Sequence, residues 1–586
     1  MLEALYKYAQ DNKLVSRPGF KAKKIKYHIC FSSNGDFLGF SIVEDDAEPP
    51  MCPDIGSLAN GTTKSNIIAE KAEVILNLPD KNGECKRTLK QKFYIDSMTE
   101  AGESDNRFLV AVNGLNEHME EIRKSYSEIK KAKPADFISV KVDNFPLEKS
   151  TDYFIWWEEF RKRFDTKKKS DNVRCFITGE LTEPIKTVPP VQGLKSVGGH
   201  TKGDSFICFD KDAYKSYGFE QAANAAVSEE AIAAVNSALS KLLKEAPPSV
   251  AGAKYVHWFS EKTEYDVFKM FDFDFNESVI ENDSSEQISE DKHRVREMFS
   301  FMKKRSLPHM PQNRYYMMAL SGVNGRVMIR SYDEGTYNEL CSNIRAWYED
   351  LAIDEPRYGK RYFKLSYTYS RLLKYSTDNK KLSERIEKEL SGLAPKIMYA
   401  IMHNTVLPDT VAAKALAYIR SDMYGGNEER KTAPIPDIAA CQILKAWLNR
   451  KYRKEKKEEL IIMEKLNKES PSAAYQTGRL MAVYAAIQAA ALGDVGAGVV
   501  ERYYTSACTS PALVMGKLAT MAQYHLSKLK GEQQGLYVFF SRQLEEISCK
   551  IGTSLPKTFS LNEQSEFALG YYFQRAERSA SKKTEE

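Results

Sequence analysis

The sequence predicts an α+β front part with mixed and antiparallel sheets, followed by an all-α rear. Two observations carry this. Runs of alternating apolar residues flank Asn-Gly pairs at Asn34-Gly35 and Asn324-Gly325. After about residue 337 the alternation stops and apolar residues recur at helical spacing. The 586 residues allow roughly two to four domains.

Taken in order, Leu2, Leu5, Tyr6 and Ala9 share a helical face. In "KIKYHICFSSNGDFLGFSIV", Ile25, Tyr27, Ile29 and Phe31 alternate, Asn34-Gly35 supplies a turn, and Phe37 begins the return strand. Asn-Gly tolerates the positive φ of a tight hairpin. Strands are also expected in "DFISVKV", "VRCFIT", "DSFICF" and "AKYVHWF", and a second hairpin in "RYYMMALSGVNGRVMIRSY". In the rear, Leu480, Val483, Tyr484 and Ile487 share one helical face. Ser510 is placed to cap a helix that Pro511 opens, and Val514, Leu518, Met521 and His525 form its stripe. The tail "AERSASKKTEE" is expected to fray. The expected division is 1–336 for the α+β part, 337–462 for a helical middle region and 463–586 for a terminal bundle.

Composition narrows the class. Hydrophobic residues make 42% and charged residues 28%, as in soluble globular chains. A net charge of +5 excludes a uniformly basic surface, so nucleic-acid contact would come from local patches. The start lacks a secretory signal, and the apolar stretch "LMAVYAAIQAAAL" falls short of the roughly 18 residues a membrane span needs. A cytoplasmic location with no membrane partner is expected. Nine scattered cysteines without a CxxC pair point to a reducing compartment; no metal and no cofactor are expected.

The stretch "GGHTKGDS" invites comparison with a phosphate-binding loop. Asp204 stands where that motif needs Lys, and the loop precedes a strand rather than a helix, so a nucleotide site is rejected. A glycine-rich turn is preferred, with a backbone contact to nucleic acid through Lys202 as the lesser reading. The eight histidines are isolated, and Asp272 and Asp274 in "FDFDFNES" alternate with Phe like an ordinary amphipathic run. No catalytic constellation emerges.

Three basic clusters stand out. Residues 1–26 carry Lys7, Lys13, Arg17, Lys21, Lys23, Lys24 and Lys26 against Glu3 and Asp11. "RKRFDTKKK", from Arg161 and Arg163 onward, has six basic residues and one Asp, and "RKYRKEKK" at 450–457 has six and one Glu. Each is more often a solvated face, but together they imply segregated charge suited to phosphate backbones. Tyr6, Tyr8, Phe20, Tyr27, Phe164 and Tyr452 interleave and can stack on bases or fill the core. Lys64 and Asn66 lie in the polar turn "NGTTKSN", where Asn can read an adenine edge; a plain surface turn is the simpler reading.

Longer blocks carry a family resemblance. "CFITGE", "VQGL" and "SFICFDKDAYKSYGFEQAANAAVSEEA" supply Cys175, Thr178, Gly179, Phe209, Asp210, Ser216, Tyr217, Gly218, Gln221, Asn224, Ala225, Val227 and Ser228. With "YQTGRLMAVYAAIQAAA" and "ERYYTSACTSPALVMGKLATMAQYHLSKL", they resemble the large subunit of the type I-C CRISPR Cascade complex, the Csd family. Lys71 stands where the family pattern has Asn, and "VPPVQGL" lacks that pattern's His and Lys. The resemblance implies a non-catalytic subunit of an RNA-guided surveillance complex. It would inspect duplex DNA for a short flanking motif, help open it, hold the displaced strand and recruit a helicase-nuclease. Implied partners are the guide RNA ribonucleoprotein, repeated backbone subunits, the 5′-handle-binding subunit, small subunits from the same gene, and target double-stranded DNA. Cys175, Gly179, Tyr217, Gly218, Gln221 and Asn224 are expected to be architectural.

The resemblance also implies a separately made helical end. Lys457-Glu458-Glu459 precede Met463, and their codons can spell a ribosome-binding sequence, so Met463 is a candidate internal start. Lys517, Tyr524 and Lys528 lie along one line in that segment, spaced to track a strand backbone. The alternatives from other classes are a metal-dependent nuclease with acids from distant segments and a purely protein–protein scaffold.

Overall fold

The computed structural model describes residues 1–14, 19–44, 49–79, 83–164, 173–185, 187–219, 221–263, 266–271, 313–356, 359–374, 382–424, 434–493 and 498–581. Arg17, Lys167–Lys169, Asp272 and Asp274 lie outside them. The chain forms two compact units, Met1–Pro189 with Ile207–Leu239, and Pro190–Phe206 with Ser240–Glu586.

The first unit opens with α1 (Leu2–Asp11), which buries Leu5 and Ala9. Then come β1 (Phe20–Ala22), β2 (Ile25–Phe31), β3 (Phe37–Ile42), β4 (Met51–Pro53) and β5 (Glu70–Lys71). Helices α2 (Ala72–Ile75), α3 (Thr88–Ala101) and α4 (Asn106–Glu128) follow, then β6 (Phe137–Val142), β7 (Phe145–Pro146), α5 (Phe154–Lys162), β8 (Val173–Arg174) and β9 (Leu181–Thr182). The main sheet has the order β3-β2-β6-β5, with β7 folded back on β6. β2 and β6 are parallel, Ile29 facing Val140, and a parallel pair needs a long crossover. The helices α2–α4 lie in that crossover. The sequence reading assigns them no element, because Lys90 and Ser97 sit on the buried face of α3 and blur its apolar stripe.

The hairpins differ in kind. Between β2 and β3 the Ser32 hydroxyl accepts the N–H groups of Asn34 and Asp36 across a wider loop, and Gly35 takes φ +94°. The tight two-residue turn is the second one, with Asn324 at φ +51° and Gly325 at +76°. Of the expected strands, "VRCFIT" shrinks to β8, because Cys175 turns the chain. "DSFICF" forms none, and only bridges from Asp204 and Ser205 remain.

α6 (Glu229–Glu245) carries the chain into the second unit. There β10 (Lys254–Phe259), β11 (Arg314–Val323) and β12 (Arg326–Thr336) form an antiparallel sheet. Helices follow: α7 (Tyr337–Leu351), α8 (Leu365–Ser370), α9 (Leu382–Leu390), α10 (Ala394–Met402), α11 (Asp409–Tyr424) and α12 (Ile438–Glu455). The last five are α13 (Ala473–Leu492), α14 (Val499–Thr509), α15 (Pro511–Glu532), α16 (Gln534–Ile551) and α17 (Leu561–Ser581). One core runs from Tyr255 and Met317 of the sheet to Phe573 of α17, so by compactness the residues from 240 to 336 go with the helices.

α13 is covered on every face from Ala474 to Ile487, not along one stripe. α17 approaches it closely enough that a Cβ on Gly478 would stand 2.0 Å from the Phe567 carbonyl oxygen. Ser510 occupies the cap position of α15, yet its side chain makes no capping bond; Pro511 opens the helix as expected. The tail is helical through Ser581.

Candidate nucleic-acid interface

The glycine-rich loop supplies its own anion. The fully buried Asp204 carboxylate accepts the His200 N–H through both oxygens, at 3.1 Å each. Gly199 lies against that carboxylate, where a Cβ would meet Asp204 Oδ2 at 2.4 Å. The backbone donor an external phosphate would seek is thus already satisfied, which fits the rejection of a nucleotide site. Lys202 is exposed at the loop's tip, its N–H donating to His200 Nδ1.

In the first unit, the carboxy-terminal end of α5 gathers cations around aromatic rings. Phe160 and Phe164 pack edge-to-face at 5.1 Å, and Phe93 stands 5.9 Å from Phe164. The Lys64 ammonium lies 4.3 Å from the Phe164 centroid and the Arg163 guanidinium 5.4 Å from Phe160, contacts worth about 0.5–1 kcal/mol each when exposed. Arg163 also pairs with Glu100 at 2.6 Å and Arg161 with Glu229 at 2.6 Å. Lys21 and Lys24 are exposed around β1, and Lys71 on β5 lies 4.0 Å from Glu73.

Two expected contacts are withdrawn from solvent. Lys23 is buried, paired with Asp54 at 3.0 Å and placed over Phe137. Asn66 is buried: its Oδ1 accepts the Ile55 N–H at 3.0 Å and its Nδ2 donates to Glu70 at 2.9 Å. Such an amide cannot meet a base edge without dismantling the fold. Its bonds instead support the polar loop above it, whose residues 60–63 are exposed. Lys90, which sequence reasoning missed, completes the support. Its ammonium donates to the Ala59 carbonyl at 2.7 Å, and burial lowers its pKa despite the nearby Glu70. A lysine on the inner face of α3 is the signal that marks it.

The signature residues split into two kinds. Cys175 and Gly179 close a local turn. The Gly179 N–H donates to the Cys175 carbonyl at 2.9 Å, and Gly179 takes φ +76°, which favours glycine. Burial alone would raise the Cys175 thiol, but hydrogen bonds from Thr178, Ser228 and Ile177 outweigh it and bring it down to about 7. The run after it departs from expectation. Residues 210–219 are exposed throughout, and Tyr217 is 88% exposed. An aromatic ring so placed contributes nothing to the core, so Tyr217 is corrected from architecture to surface, beside exposed Tyr214 and Phe219. Gly218 shapes a local turn, with φ +76° and its N–H donating to the Lys215 carbonyl at 2.9 Å. Asn224 acts locally, its Nδ2 donating to the Gln221 carbonyl at 3.1 Å, whereas the Gln221 Oε1 accepts from the Thr187 hydroxyl at 3.5 Å.

In the second unit only Arg450 of the basic residues in the 450–457 cluster turns inward, while Arg453, Lys454, Lys456 and Lys457 are exposed. Arg450 is 1% exposed and pairs with buried Asp350 at 2.8 Å, which Arg453 also reaches. On α15, Lys517 and Tyr524 are exposed, while the Lys528 ammonium donates to the Ala491 carbonyl at 2.8 Å and so closes the end of α13. Met463 is exposed just past a clamp in which Asn449 exchanges hydrogen bonds with Ile462. Among the described residues there is no group of three or more His, Cys, Asp or Glu able to hold a metal ion. None of their helices is long and apolar enough to cross a membrane.

Exposed cations on aromatic supports and a signature loop open to solvent are the surface features of the first unit, and the class of the protein is that of the CRISPR-associated proteins. The family model described as CRISPR-associated protein (Cas_Csd1) matches residues 2–579, and the chain belongs to that family, a Cascade-type subunit. No curated protein matches it.

Proposed function

We propose that this chain is the non-catalytic large subunit of a type I-C RNA-guided DNA surveillance complex. Its first unit reads the motif flanking the target through the polar loop at residues 60–63, and Lys64, Arg161, Arg163, Lys21, Lys24, Lys71 and, in the second unit, Lys202 hold the duplex backbone. Lys517 and Lys528 track the displaced strand. The exposed run around Tyr217 docks on the guide RNA ribonucleoprotein or its backbone and 5′-handle-binding subunits, and a helicase-nuclease is recruited after opening. The complex works in the cytoplasm. The observation that carries this reading is the family match over nearly the whole chain. The rigid seating of the exposed loop on buried Asn66 and Lys90 supports the placement of the reading function, since binding loops work best on stiff scaffolds.

Met463 starts a second product, residues 463–586, that serves as a small subunit. All of α13–α17 lies after it, and Met463 sits in an exposed connection between helices. Such a product would uncover Tyr571, whose hydroxyl donates to the Pro434 carbonyl, and Glu566, which accepts from Tyr452; a neighbouring subunit would have to cover both.

A tagged pull-down from native cells at moderate salt, with sequencing of the recovered RNA, tests the main reading. A discrete guide RNA with backbone subunits is the expected result. Recovery of the chain alone, or with unrelated proteins and no guide, would sink it. Synonymous recoding of Lys457-Glu458-Glu459 tests the second product, which should disappear while the full-length chain persists.

A further inference from the structure

α13, α16 and α17 enclose a small cavity of about 70 Å³. Its floor is Ala482, Val483 and Ala486, whose short side chains leave the space open, and its walls include Phe539 and Gln543 of α16. α17 adds Arg575, Glu577 and Arg578, so two guanidiniums face one carboxylate. Roughly 10–15 Å³ of such volume admits one water, and drug-sized ligands need about 300 Å³ or more. The space therefore suits a small oxyanion group and excludes a whole nucleotide.

Arg578 is the unusual member. Its Nη1 is buried without a hydrogen-bond partner, and its guanidinium lies over the Phe540 ring, 4.9 Å from the centroid. Desolvation, then the positive charge of Arg575, lowers its pKa to about 10, so it remains a cation at neutral pH. Donors buried without acceptors are rare in folded proteins, because the lost hydration is offset only when an acceptor arrives. A guanidinium matches phosphate oxygens in two-point geometry. Beside it, Phe539 is half exposed and stands one helical turn from Gln543, leaving a ring face for a base outside the cavity.

We infer that Arg578 and Phe539 form a phosphodiester subsite for single-stranded nucleic acid, the phosphate entering the cavity and the adjoining base stacking on Phe539. The site lies apart from the Lys517–Lys528 line on α15, and the inference rests on the proposed nucleic-acid role of the helical rear.

The test uses the full chain with a fluorescent oligothymidylate, titrated across a salt series. Arg578→Gln should bind several-fold more weakly, and the slope of log affinity against log salt should fall by about 0.7, the loss of one phosphate contact on a single strand. Arg578→Lys should keep the slope, and Phe539→Leu should weaken binding with the slope intact. Melting curves matched to the wild type establish that each variant is folded. Wild-type affinity and slope in folded Arg578→Gln would overturn this site while leaving the wider reading standing. Failure of the wild-type chain to bind the oligonucleotide even at low salt would overturn both.

Discussion

The two units bury carboxylates in opposite senses. In the first, Glu148 lies between His28, at 2.7 Å, and the Ser139 hydroxyl, at 2.8 Å. Burial alone would raise its pKa, but the His28 bond and charge outweigh it and hold the carboxyl below its usual range. In the second, Glu566 accepts from Ser472 at 2.7 Å and from the Tyr452 hydroxyl, yet burial prevails and its pKa is raised. The difference lies in how far the partners offset burial: the His28 bond and charge prevail at Glu148, two neutral hydroxyls do not at Glu566, and at Asp333 of the second unit burial raises the pKa even against His403 at 2.8 Å. The second unit also holds a buried carboxylate shared by two guanidiniums, Asp350 with Arg450 and Arg453, and there the dependence on pairing should be greatest.

Asp350→Ala is accordingly the largest expected effect. It strands Arg450, whose remaining bonds run to the carbonyls of Ala400 at 2.6 Å and Thr405 at 3.0 Å. Breaking a buried pair costs about 3–5 kcal/mol. The expected outcome is a large fall in the unfolding temperature of the second unit, seen as early proteolysis after residue 240, with the first unit's fragment still resistant. Equal sensitivity of both fragments would show that the units do not unfold separately.

Next comes Gly478→Ala, which drives a methyl group against backbone, where nothing can rotate away. A destabilisation of about 1–3 kcal/mol or more is expected from chemical denaturation. The first unit has a counterpart in Gly114, where a Cβ would meet the Phe31 ring at 2.5 Å and the Gly35 carbonyl at 2.6 Å. Gly516, on α15 with open space around it, is the control: alanine there should stabilise by about 0.4–1 kcal/mol. A neutral Gly478→Ala would mean that α13 and α17 are not held at the observed distance.

The third pair of variants tests the carboxylate contrast by sign. The depressed pKa of Glu148 gives stability that is present above its unfolded value of about 4.3 and lost as pH falls through the lower folded value. The raised pKa of Glu566 gives stability that is present below about 4.3 and lost as pH rises through the higher folded value. Glu566→Gln should therefore raise the melting temperature at neutral pH and lose that advantage in acid. Glu148→Gln should lower it at neutral pH and converge on wild type in acid. Parallel profiles for the two variants would refute the contrast.

Much of this architecture was legible in the sequence, and the failures share a cause. β2, β6, β10 and the Asn324-Gly325 hairpin declared themselves by alternation and turn chemistry, which are local. α3 did not, because Lys90 occupies a core-facing position that only the distant Ala59 carbonyl justifies. The site was harder for the same reason. Lys23, Asn66 and Arg450 read as surface groups, and each is buried by a partner far along the chain or across a turn: Asp54, Ile55 with Glu70, and Asp350. Residue type gives the chemistry a side chain can do, whereas tertiary packing decides whether solvent or a strand can reach it.

That distinction yields the smallest and most specific prediction, a comparison of two lysines in the first unit. Lys64 rests over Phe164 with its ammonium partly open to solvent, whereas Lys23 is spent on Asp54. If the surface around α5 holds duplex DNA, Lys64→Ala should lower the salt slope of duplex binding by about 0.9 and weaken binding about equally across sequences. Lys23→Ala should leave the slope alone and lower stability instead, because it leaves Asp54 without its buried partner. Salt-series binding of the assembled complex, with melting curves of both variants, separates the outcomes. A slope change from Lys23→Ala with none from Lys64→Ala would place the DNA on the opposite side of this packing, and the cations around Phe160 and Phe164 would then be ordinary solvated charge.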